Sequence, residues 1–73
     1  MVSLEAFVEA RLAEEQPVAE GRARVEFNAK REVLAAYRRA RFGSTHRAGV
    51  GIALKAIARI WDDHDDFDPA WRT

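Results

Sequence analysis

The sequence predicts an all-α protein: a small bundle of about three helices, over residues 4–15, 18–41 and 48–62, closed by a packed C-terminal tail. Three observations lead there. Apolar residues recur at three- and four-residue spacing through three segments. The pattern is broken at Gln16-Pro17 and again at Phe42-Gly43. The length of 73 residues admits one domain only, residues 1–73.

The first helix opens on Val2-Ser3-Leu4-Glu5-Ala6-Phe7. Ser3 is placed to cap it, with Val2 and Phe7 in the positions of a hydrophobic staple. Leu4, Phe7, Val8 and Leu12 then form one stripe, and Glu5 suits the positive end of the helix dipole. Pro17 ends the element, because its ring removes an amide donor and clashes with the preceding turn; it can itself open the next helix. From Val18 the apolar row runs through Val25, Ala29, Val33, Ala36, Tyr37 and Ala40, with Phe27 and Leu34 on its flank. Glu26 and Lys30 stand at the spacing of a favourable ion pair. Arg38, Arg39 and Arg41 suit the negative end of this helix. Ser44 or Thr45 caps the third, whose stripe of Val50, Ala53, Leu54, Ile57, Ala58, Ile60 and Trp61 marks it as the central core helix. Gly49 and Gly51 either admit a close neighbour or delay its start. Ile52 falls on its polar side as an exposed contact.

A core of this size sits near the limit at which hydrophobic burial alone holds a fold. There is no Cys to staple it, and two His with scattered carboxylates make no zinc-ligand set. Regular helix packing and self-association remain, so a homodimer is expected. The absence of thiols fits a cytoplasmic setting. Glu5 and Glu9 stand where a secretory signal would be basic and apolar, and no run approaches the roughly 18 apolar residues of a membrane span.

An enzyme is not expected. Only His46 and His64 could act as an imidazole base, and Ser44, two residues from His46, is explained by capping. Gly49-Val50-Gly51 lacks the length and the Lys-Ser/Thr ending of a phosphate loop, so no cofactor is expected. The tail Asp62-Asp63-His64-Asp65-Asp66-Phe67-Asp68 is rich in oxygen and nitrogen donors but lacks the register of a calcium loop. It reads as a solvated acidic segment with Phe67 and Trp71 folded back on the core, and no metal is assigned to it.

Charge is segregated although the chain as a whole is neutral. Residues 1–21 carry one basic against five acidic side chains (net −4), residues 22–59 ten against two (net +8), and residues 60–73 one against five (net −4). One explanation is internal, with acidic ends lying against a basic middle. The other is a partner. Arg31, Arg38, Arg39, Arg41, His46 and Arg47 gather around the end of the second helix and the turn after it, as contacts for a protein or for nucleic acid. A membrane-surface role for the third helix would leave the protein without a core.

The terminal run Trp61-Asp62-Asp63-His64-Asp65-Asp66-Phe67-Asp68-Pro69-Ala70-Trp71-Arg72 resembles the ending of a family of small actinobacterial and actinophage proteins, whose members commonly close on an aromatic residue, Asp-His, an Asp-aromatic pair and Trp-Arg. Ala29-Lys30-Arg31-Glu32-Val33-Leu34 is similar to that family's basic helix, and Leu4 to Leu12 to its opening helix. The resemblance implies a bacterial or phage source and a cytoplasmic setting, without an activity to carry over. It also implies that Asp63, His64, Phe67 and Trp71 hold a docked conformation. The sequence thus points to a non-enzymatic protein–protein interaction module, partnered by itself and by another protein. A small DNA-binding accessory protein using the basic second helix is the alternative.

Overall fold

The computed structural model describes residues 2–16 and 20–72. They form α1 (Leu4–Glu15), α2 (Arg22–Arg39) and α3 (Thr45–Ala58), then two 3₁₀ turns at Arg59–Trp61 and Pro69–Arg72. No strand occurs among the described residues. The all-α bundle read from the sequence is the observed fold. The assignments of Pro17 and Val18 to a helix start lie outside the described residues.

Caps set the boundaries. The Ser3 hydroxyl accepts from the Ala6 amide at 3.1 Å and starts α1. Ser44 accepts from the Arg47 amide at 3.0 Å and starts α3 at Thr45, three residues earlier than expected; the two glycines do not delay it. At Gly51 the absent side chain admits Tyr37, whose Cε1 would stand 3.2 Å from a Cβ placed there. α2 begins at Arg22 instead of residue 18, because Gly21 takes φ 56° and ψ −129°, a backbone that cannot continue a helix in either direction. It ends at Arg39 instead of 41, where Ala40 turns extended and Gly43, at φ 78°, carries the chain round to α3. The last residues of the third segment tighten into the Arg59–Trp61 turn before residue 62.

The core is built from both ends of the chain. α1 contributes Phe7, Val8 and Leu12, each 2 % exposed or less, and the tail contributes Phe67 and Trp71. α2 adds Phe27 and Leu34, and α3 adds Leu54 and Ala58. α3 packs against α1, α2 and both 3₁₀ turns, as expected of the central helix, and the tail aromatics add a second contact on Phe7 of α1. α2 is rotated somewhat from the expected face: Phe27 and Leu34 turn inward, Val33 and Tyr37 of the expected row pack partly against the core, and Val25, 68 % exposed, and Ala29 lie outside it. Ile60, expected in the α3 stripe, is 54 % exposed, and Ile52 is exposed as anticipated. Glu26 pairs with Arg22 at 3.3 Å in place of Lys30, which instead lies 3.8 Å from Glu15 of α1 and over the Trp61 ring.

Candidate functional site

The basic residues at the α2–α3 junction divide into two groups. Arg38 and Arg47 are engaged within the protein. Arg38 donates to Glu5 at 3.1 Å and to Glu9 at 2.8 Å, which ties α2 to α1. These bonds, ahead of simple charge attraction, hold the Glu9 carboxyl below the usual carboxylate range, and they raise Arg38 from its ordinary value. Arg47 donates to the Tyr37 and Ala40 carbonyls at the end of α2, at 3.1 and 3.4 Å, and so serves as a C-terminal cap. Its guanidinium stacks 4.0 Å from the Tyr37 ring centroid and reaches within 3.8 Å of Glu5.

Arg31, Arg39 and Arg41 are exposed and make no ion pair among the described residues. His46 is exposed on the first turn of α3. Arg31 and Arg39, with Arg38, line a groove of about 350 Å³ between α1 and α2. Leu12, Phe27 and Leu34 form its floor; Ala13 and Ala35 keep its walls low. Arg41 lies past the helix end and outside the groove.

On the other side of α2 a second concave surface, of about 480 Å³, runs between α2 and α3. Val33 and Ala36 of the apolar row face Gly49, Val50 and Ala53 across it. The apolar row that the spacing marks as core therefore straddles the edge of the bundle, with Val33 and Tyr37 packed partly on the core and Val25 and Ala29 exposed.

The tail residues converge on Phe7. Its ring centroid lies 5.1 Å from Trp71, 6.0 Å from Phe67 and 5.6 Å from His64, and Phe67 meets Trp71 edge to face at 5.3 Å. Arg11 donates to His64 Nε2, and the Asp66 amide faces Nδ1 at 3.0 Å. An imidazole offers a lone pair on one ring nitrogen at a time, so only one of these contacts is a hydrogen bond in either tautomer. Asp68 accepts from the Ala70 amide at 2.9 Å, opening the last turn, and Arg72 closes it by donating to Asp62 at 3.1 Å.

Arg11 received no role from the sequence, although its side chain is only 11 % exposed. Its Nε lies 3.1 Å from Glu14, yet the angle is poor and this N–H makes no hydrogen bond. The signals were present: Phe7 four residues before it, whose ring it covers at 5.4 Å, and Glu14 three after. Among the described residues no three His, Asp or Glu side chains converge to hold a metal ion, and no helix is long and apolar enough to cross a membrane. No family model, curated protein or solved structure matches the chain.

Proposed function

We propose that the protein is a non-enzymatic interaction module that self-associates through the outer face of α2 and α3. The supporting observation is the partly uncovered apolar row. An 18-residue helix that buries only Phe27 and Leu34 while leaving Val25 68 % exposed is half-used by the monomer. Val33, Ala36, Val50 and Ala53 continue the row along the surface between α2 and α3. α2 is about 27 Å long and two helices side by side span about 18–20 Å, a face of some 500 Å² in projection. That is the order of the ~800 Å² per partner buried in a stable interface. A second copy fits such a face, since like apolar rows pair across a two-fold axis without a second kind of surface.

Light scattering across a concentration series tests this. Twice the 8.3 kDa chain mass is expected at micromolar protein. Val33→Glu with Val50→Glu is expected to give the single-chain mass with unchanged helicity. A parent protein at the single-chain mass at all concentrations refutes the reading.

A DNA-binding accessory role is the second reading. Arg31, Arg39 and Arg41 favour it as exposed cations without ion pairs, whereas the engagement of Arg38 and Arg47 inside the fold favours the internal explanation of the charge blocks. Three phosphate contacts would give a salt slope of about −3 in log–log form. Absence of any DNA retardation at low salt removes this reading. The tail pattern supports a cytoplasmic setting in an actinobacterium or in the host of its phage.

A further inference from the structure

We infer that the α1/α2 groove is a docking site for an acidic amphipathic helix of another protein. This rests on the interaction-module reading but not on self-association, which uses the opposite side of α2. Arg31, Ala35 and Arg39 stand at four-residue intervals along α2, in one row beside the groove. The row is two cations about 12 Å apart with a methyl-sized notch between them. Below the notch, Leu12, Phe27 and Leu34 make an apolar floor.

The complement is a helix carrying an acid, an apolar residue and a second acid at i, i+4 and i+8. Its apolar side chain would sit over Ala35, with its carboxylates on Arg31 and Arg39. The charge state of the groove supports this occupant. Arg38 is already held by Glu5 and Glu9, while Arg31 and Arg39 have no ion pair among the described residues. Arg31 lies over the Phe27 ring of the floor, 5.9 Å from its centroid, and feels the longer-range charge of Glu9, which leaves its guanidinium without a carboxylate partner among the described residues. A second copy does not fit. No two acids on any one described helix of this chain stand seven or eight residues apart, and the Asp-rich segment is a series of tight turns.

The test is fluorescence anisotropy with a labelled helix-favouring peptide bearing Glu, Leu and Glu at i, i+4 and i+8. Saturable binding by the parent protein is expected. It should weaken about tenfold in R31A/R39A, be blocked in A35W, and be unchanged in R41A, whose cation lies outside the groove. Loss of binding when the peptide Leu is replaced by Ala is also expected. The three arginines are exposed and Ala35 is half-buried at the groove wall, and circular dichroism checks that each variant stays folded. No binding of the peptide, or an equal loss in R41A and R31A/R39A, would overturn the inference. The V33E/V50E variant keeps the two proposals apart. Whatever its mass, it should bind the peptide as the parent does, and failure to do so overturns the assignment to this groove.

Discussion

Trp71→Ala tests whether the tail is part of the fold. Trp71 is 8 % exposed and packs on Phe7 and Phe67 at centroid distances of 5.1 and 5.3 Å. Truncating a buried Trp to Ala costs about 3–5 kcal/mol, as lost transfer free energy and an unfilled cavity. A chain of this length has about 4–11 kcal/mol in total. The variant is therefore expected to keep a small remainder, with a melting temperature lower by more than about 10 °C. Urea unfolding followed by far-UV circular dichroism measures this, at one fixed protein concentration because self-association makes stability concentration-dependent. A cycle with Phe7→Leu adds specificity: direct ring contact predicts a coupling of about 0.5–1.5 kcal/mol. Arg72→Ala, which removes only the exposed pair with Asp62, should cost no more than about 1 kcal/mol. A Trp71→Ala loss below about 1 kcal/mol, or no coupling to Phe7, would refute the docked tail.

Removing the Ser3 or Ser44 hydroxyl by Ala substitution should cost about 1 kcal/mol each, since each accepts an orphan amide of a helix start; thermal melts check it. Gly49→Ala should stabilise α3 by about 0.5–1 kcal/mol, because a Cβ there meets nothing within 4 Å. At Gly51 the same change should gain nothing, since Tyr37 is held under Arg47 and has little room to yield; equal gains at both positions would contradict the packing. For acid stability the sign follows from Glu9, whose carboxyl is held low first by its hydrogen bond from Arg38 and then by the charge of Arg38. A lowered folded-state value stabilises the fold above the ordinary carboxylate value of 4.5, and the contribution disappears as pH falls through the folded value. Glu9→Gln should therefore flatten the fall in melting temperature between about pH 5 and pH 3. The raised Arg38 contributes at every pH below its own strongly alkaline value and so does not affect this window.

α1 was readable to the residue because cap, stripe and first-turn acid all agree there. α2 was readable as a helix but not in its facing. Five small apolar residues at regular spacing outnumber Phe27 and Leu34, yet two large side chains seven residues apart bury more surface and decide which side turns inward. The small-residue row lies at the edge of the core, partly covered at Val33 and exposed at Val25 and Ala29. Arg38 and Arg47 looked like free cations because their partners, Glu5 and the ring and carbonyl of Tyr37, are brought to them only by tertiary packing. The α1/α2 groove is hidden for the same reason, since its floor and rim come from two helices. The tail aromatics were legible, whereas the Arg11 contact they bring with them was not.

The contact between Phe7 and Trp71 joins residues 64 positions apart in a 73-residue chain. Closing that loop costs about 3–4 kcal/mol of chain entropy before any burial offsets it. Helices of this kind form in microseconds, so the slow event is expected to be this ring closure. During synthesis at about 5–20 residues per second, Phe7, Val8 and Leu12 wait several seconds for the aromatic residues that cover them. The interval exposes an apolar helix face to the cell's chaperones and proteases.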